Sequence, residues 1–369
     1  MVTVKYNLTN SVWSGVVGKD DSGDPKKEQF ISLRRMLQLT AAAEYRGRKF
    51  THVDLICLPQ HIDLSKGPEA EAVRVAALLK EFGLKARSIV PFIWCGSAMG
   101  TPVQRAAFVK SFNDALLFGA KLVELGVRDA GDGVFRLDTS CSPQDFADGG
   151  ENAFEQIVDT VSACVAAAHA LREFVALEQE VCWGGLDNAT RTIQLIDRCC
   201  EVFGGDAPIG LQGDLSHLMG DLLGVDRVLG YNTDTAKLPE GFKFDDAETL
   251  ESAWGDLAEA LATYLVDFHA AQNNGTVHGS GSHAATMKHC LPFAADGVID
   301  HKAVAPLWLI DEDGEARTGI TGLTWDGCMF SNDDLENPGT WNDVLRYLVE
   351  IEDSVNAKLA ESEVAGSAS

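Results

Sequence analysis

Four segments of this chain combine apolar residues with groups able to do acid, base or metal chemistry. FVALEQE (Phe174–Glu180) carries Glu178 and Glu180 two residues apart, so in an extended strand both side chains share one face. IGLQGD ends on Asp214 and runs into Leu215, Ser216 and His217. YLVDFHAAQ places Asp267 and His269 on one face, with Gln272 just beyond, and ITGLTWD ends on Asp326. A carboxylate in an apolar strand is costly unless paired or metal-bound. Taken singly, each has a plainer reading: a strand-end Asp such as Asp214 often caps the next helix, and a lone His is often a satisfied core side chain. Taken jointly, hard oxygen ligands with one imidazole suit Mn²⁺, Mg²⁺, Co²⁺ or Zn²⁺. Thiols are absent from the set, which argues against a structural zinc.

Those residues matter only if the fold brings them together. Short β-rich runs alternate with longer helical patterns along the chain. The predicted strands are Val4–Leu8, Val53–Leu58, Ser88–Trp94, Leu122–Val127, Phe174–Glu180, Ile209–Asp214, Tyr264–Gln272 and Ile320–Asp326. Helical patterns between them include Pro102–Phe118, Ala153–Arg172 and Ala189–Phe203, and Trp341–Leu359 closes the chain. Strands alternating with helices indicate βαβ units on a parallel sheet. Eight such units close into an α/β fold of the (β/α)₈ TIM-barrel type, with a long loop after strand seven. The competing open sheet normally carries a glycine loop after its first strand, and YNLTNSVWSG is not GxGxxG. One domain over residues 1–359 is expected, with a small polar tail, Ala360–Ser369, that frays. A barrel builds its site where strands end, so strands five to eight deliver their ionisable groups to one mouth.

The motifs LEQEVCWGG, GDLSH, DFHAAQ, GSGSH, KHCLP and TWDGCMF resemble those of the xylose-isomerase-like TIM-barrel superfamily. It includes sugar isomerases, ketose 3-epimerases, inosose dehydratases and C-glycoside-deglycosylating enzymes. The resemblance spans most of the chain and is strongest from Glu178 onward. It implies one divalent metal, Mn²⁺ first among the four, held by Glu180, Asp214, His269 and Asp326, with Glu178 as the alternative on strand five. It also implies that the DxxH pattern brings His217 to the substrate. Two departures stand out: the last acid is Asp326 where the epimerases use Glu, and the loop from Asn273 to Asp300 carries His278, His283, Lys288 and His289. The catalytic candidates are thus Glu180, His217, His283, Lys288 and His289.

The implied chemistry is proton movement next to a sugar carbonyl through a metal-stabilised enediolate. That makes the chain a sugar isomerase or epimerase, or alternatively a lyase that cleaves a 3-oxo-glycoside by β-elimination, with His283 or His289 as acid or base. Substrate-binding candidates near the mouth are Trp13, Trp94, Trp183, His61, Arg128, Glu178 and Gln272; pairing with Asp129 or Asp132 is the plainer reading of Arg128. A non-catalytic barrel that serves a second subunit is the reading from another class, and a homo-oligomer is a further option.

Bulk composition agrees with a small-molecule enzyme. The 369 residues are 46% hydrophobic, enough for a large core. A net charge of -25 repels phosphate backbones and anionic lipid, so neither nucleic acid nor membrane is an expected partner. Nine Cys without a CxxC pair read as reduced thiols, and MVTVKYNLTN lacks the form of a signal peptide, so the cytoplasm is the expected compartment.

Overall fold

The structure is a computed structural model that describes residues 3–17, 29–224, 238–239 and 242–366. Eight parallel strands close into a barrel in chain order. They are β1 (Asn7–Val12), β2 (His52–Ile56), β3 (Lys85–Val90), β4 (Phe135–Leu137), β5 (Val175–Glu178), β6 (Ile209–Asp214), β7 (Leu265–Ala270) and β8 (Gly322–Trp325). β8 pairs back onto β1 through Asn7–Gly322 to Asn10–Trp325, which removes both sheet edges.

Helices cover the outside. They are α1 (Leu33–Ala42), α2 (Pro68–Phe82), α3 (Pro102–Glu124), α4 (Pro143–Gly149), α5 (Glu151–Ala170) and α6 (Ala189–Phe203). After them come α7 (Leu215–Leu223), α8 (Ala247–Leu261), α9 (His301–Leu309), α10 (Asn332–Leu335) and α11 (Pro338–Gly366). Side-chain caps start several of them: Thr101 and Gln104 form a capping box on α3, and Asn188 accepts from the Arg191 amide on α6. Among the described residues no helix is long and apolar enough to cross a membrane.

Two expectations need correction. The first half of the predicted fourth strand, Leu122–Val127, is the end of α3, because Phe118 and Leu122 continue that helix's buried stripe, and the second half is the turn that follows it. The strand itself starts after Gly133, whose φ of 83° lets the chain pass against the Arg87 backbone. The closing helix runs to Gly366, so residues 360–366 continue α11 instead of forming a tail; their Ala and Glu favour helix. Residues 367–369 lie outside the described residues.

The barrel interior is polar where such barrels usually stack branched apolar side chains. Arg87 on β3 donates to Asp267 on β7 at 2.6 Å, and Gln212 on β6 donates to the other Asp267 oxygen at 2.6 Å. β3 and β7 are not neighbours, so the ion pair spans the inside of the barrel. Both charges are buried. Removing one partner strands the other: Arg87→Ala is expected to lower unfolding stability by about 3–5 kcal/mol. Urea unfolding followed by circular dichroism measures it, and a loss under about 1 kcal/mol would show that the pair is not needed.

Candidate metal centre

β5, β6 and β7 present inward residues at their C-terminal ends, and the residue after β8 completes the ring. Glu178, Asp214, His269 and Asp326 each offer one ligand atom, and these four atoms lie within 4.8 Å of one another. All four side chains are buried. His269 Nδ1 stands 4.0 Å from Asp214 Oδ2 and 3.8 Å from Asp326 Oδ2, too far for a hydrogen bond and suitable for a shared ion. Asp214 Oδ2 and His269 Nδ1 have no hydrogen-bond partner although both are buried. Orphaned buried acceptors of this kind call for a partner, so a divalent cation fits the donor set.

The surroundings hold these groups in place. His269 Nε2 lies 3.2 Å from Asp54 Oδ2, and the other Asp54 oxygen accepts from the Ser88 amide at 3.0 Å. A carboxylate behind a ligating imidazole fixes its ring and tautomer. Asp214 Oδ1 accepts from the amides of Ser216 and His217 at 2.8 and 3.2 Å, so Asp214 caps α7 as well. Asp326 Oδ1 likewise accepts from the Cys328 amide at 2.9 Å. Burial disfavours a charged His269, but the Asp267, Asp326 and Asp54 carboxylates outweigh it and hold its pKa well above the usual imidazole range.

Two histidines flank the ring. His217 Nε2 is 3.8 Å from Glu178 and 3.9 Å from Glu180. His289 Nε2 is 3.7 Å from Asp214 Oδ1, and its Nδ1 is 3.5 Å from Asp326 Oδ1. The two rings lie 4.8 Å apart. Burial lowers the pKa of His217; it works against His289 too, but Asp214 and Asp326 raise that pKa.

On strand five it is Glu178, the alternative, whose oxygen joins the four-membered cluster. Glu180 pairs with Arg136 and accepts from Thr286 Oγ1 at 3.1 Å. β5 ends at Glu178, and Glu180, just beyond it, is buried beside the same Arg136 guanidinium. Arg136 on β4 pairs with Glu178 as well.

Other candidates are displaced from the site. Arg128 forms a bidentate pair with Glu173, which precedes β5, so it lies at the opposite end of the barrel from the mouth. Neither Asp129 nor Asp132 is its partner. Both ring nitrogens of His61 face backbone carbonyls, of Val12 at 3.2 Å and Ile31 at 2.6 Å, which makes it a clamp between loops. Gln272 bonds both backbone groups of Ile299 and braces the loop after β7. Lys288 offers its carbonyl to Ser216 and Asn273, while its charge is felt by Cys290 and the exposed Asp296. Trp13 is packed with Val17, Ile56, Leu58, Cys328 and Met329 in a small core above the mouth. Trp94, Trp183 and His283 do line a cavity there. Asp54, Arg136 and Asp138 escaped the sequence reading; the signal was charge set inside or at the end of the apolar runs VDLICL and VFRLD.

The chain has the fold of the xylose-isomerase-like TIM barrels. A D-tagatose 3-epimerase-like protein superposes with a TM-score of 0.57 at 13% identity, covering 89% of this chain and 98% of its own. L-ribulose 3-epimerase gives 0.56 at 14% identity, covering 98% of each chain. A xylose isomerase-like TIM-barrel protein from Mycobacterium smegmatis, solved in complex with magnesium, gives 0.55 at 12% identity, covering 97% of this chain and all 100% of its own. No family model matches the sequence, and no curated protein does.

Two outcomes follow for the centre. The surrounding carboxylates favour a protonated His269, and a divalent ion at Nδ1 competes with that proton, so affinity should fall as pH drops. Calorimetry in buffers of different ionisation enthalpy should find about one proton released per ion; none released would contradict this role of His269. Asp54→Asn should weaken binding about 10–100-fold in a chelator competition while circular dichroism stays unchanged.

Proposed function

We propose that this protein is a divalent-metal-dependent sugar isomerase or epimerase that moves a proton on a carbon next to a carbonyl. The observation that carries the reading is the convergence of Glu178, Asp214, His269 and Asp326, with two orphaned donor atoms, beside the imidazoles of His217 and His289. The epimerases among the similar folds support it in kind. An ion bound there would polarise the carbonyl and an adjacent hydroxyl and offset the negative charge of an enediolate. Mn²⁺ is our first choice, with Mg²⁺, Co²⁺ and Zn²⁺ next, since the donors are oxygens with one imidazole.

The chain's own groups divide the remaining work. His217 and His289 are placed to take and return the proton, one on the Glu178 side of the ring and one on the Asp326 side. Glu180 is held by Arg136 and Thr286, which suits orienting a hydroxyl better than moving freely. Arg136 offsets the charge of two acids. A second reading, a lyase acting on 3-oxo-glycosides, gains from one observation: His283 borders a cavity with room for a leaving group.

Metal-loaded protein separates the two. Solvent deuterium entering a free ketose, with no phenol freed from a phenyl 3-oxo-glucoside, supports the isomerase; phenol release without action on free sugars supports the lyase. In either case His217→Ala should lower kcat by about 10²–10⁴-fold with metal content unchanged. A variant with full activity would remove His217 from the mechanism.

A further inference from the structure

The metal centre's own donors include no thiol, yet one stands beside it. Cys328 follows Asp326 by two residues, is buried, and holds its Sγ 3.5 Å from His289 Nδ1. The same Nδ1 stands 3.5 Å from Asp326 Oδ1. One ligand atom from each of these three side chains lies within 4.8 Å of the other two. Around a tetrahedral zinc, with bonds of about 2.0–2.3 Å, neighbouring ligand atoms stand about 3.4–3.6 Å apart. Both measured separations fall in that range. A hydrogen bond from the thiol to the imidazole accounts for only one of them. With that bond made, Nδ1 and Asp326 Oδ1 face each other with no proton between. With the proton on Nδ1 instead, 3.5 Å is too long for a good bond to the carboxylate. A shared cation satisfies all three atoms.

The surroundings suit an ion. His289 Nε2 is buried without a hydrogen-bond partner. With Nδ1 on a cation, Nε2 carries the ring proton and has Asp214 Oδ1 3.7 Å away, much as Asp54 stands behind His269. The two loops are fastened in advance. The His289 amide donates to Met329 Sδ at 3.3 Å, and the Cys328 amide donates to Asp326 Oδ1 at 2.9 Å. That oxygen keeps a second lone pair for an ion. Cys328 packs on its other side with Trp13, Val17, Ile56, Leu58 and Met329, an apolar cluster that strengthens electrostatic contacts within it. A metal–sulfur bond there would send the thiol proton to solvent.

We propose that Cys328, His289 and Asp326 form a second cation site, selective for zinc, that shares Asp326 with the metal centre. Asp326 would offer Oδ2 to the first ion and Oδ1 to the second. A thiolate and an imidazole favour Zn²⁺, whereas Mn²⁺ and Mg²⁺ favour oxygen donors, so the two sites would sort two kinds of ion. Three protein ligands leave a fourth tetrahedral position for water. Zinc there would take His289 out of proton transfer and so inhibit the manganese-loaded enzyme. That consequence rests on the function proposed above; the site does not.

Cobalt(II) can stand in for zinc and reports the thiolate, because sulfur bonded to cobalt absorbs in the near ultraviolet. Whole protein is stripped with chelator, loaded with Mn²⁺ and titrated with Co²⁺. The band should saturate at one equivalent, and added Zn²⁺ should abolish it. Cys328→Ser should remove the band together with one bound ion per chain in equilibrium dialysis. Cys182→Ser, which alters the thiol beside Glu180, should keep both. His289→Ala should weaken zinc binding by more than about 100-fold, beyond the loss expected for a supporting residue; circular dichroism checks that each variant folds. No band in the native protein, or a band that survives Cys328→Ser, would overturn the proposal. So would a Cys328→Ser protein that loses the band but no ion, since the thiol would then belong to the centre's own ion. Failure of the isomerase reading looks different: no free ketose would take up solvent deuterium, with or without zinc, while the cobalt band would still support the site.

Discussion

Negative charge held out of water governs the architecture of the mouth. Glu178, Glu180, Asp214 and Asp326 are all buried there and, among the described residues, the guanidinium that pairs with two of them is that of Arg136. Each carboxylate moved out of water costs several kcal/mol unless something offsets it. Every neighbour can be read as part of that offset: backbone amides at Asp214 and Asp326, a hydroxyl at Glu180, imidazoles at three points of the ring. Burial drives the Asp138 pKa up to about 6 even beside Arg136, and the nearby Glu180 charge adds to the rise. A cation at the centre would complete a balance that the side chains alone leave short.

The same demand extends down the barrel axis. His269 leans on Asp54 and Asp267, and Asp267 in turn is held by Arg87 and Gln212. The contacts tie β2, β3, β6 and β7 across the interior, so the support of the centre and the support of the fold are one network. Buried polar networks of this type fix a unique arrangement when all members are satisfied and are costly when one is lost. The helices outside contribute the apolar core that makes so polar a centre affordable.

Much of this could be read in the sequence, and the remainder has identifiable causes. α6 and β6 fall where the sequence pattern puts them, because Asn188, Gly204 and the run IGLQGD mark their ends. The convergence of Asp214, His269 and Asp326 was legible, since strand ends in a barrel meet at one mouth. Which of Glu178 and Glu180 joins the cluster was not, because it depends on where β5 stops, and boundaries are the weakest part of any such reading. Arg136 was hidden by the displaced fourth strand: in a loop it looks ordinary, and only a strand turns it inward. His61, Gln272 and Arg128 have residue types that suit a ligand, yet their partners are backbone carbonyls or a distant acid that no spacing rule foretells.

The two aspartates of the centre share one detail. In each, Oδ1 is already committed to backbone amides, leaving Oδ2 turned toward His269. A two-pronged grip on an ion would make Oδ1 share its lone pairs with those amides. Calcium, which takes six to eight oxygens and favours two-pronged carboxylates, finds too few here. For any ion bound there, the helix cap and the loop amide would favour a low coordination number before the softness of the imidazole is felt.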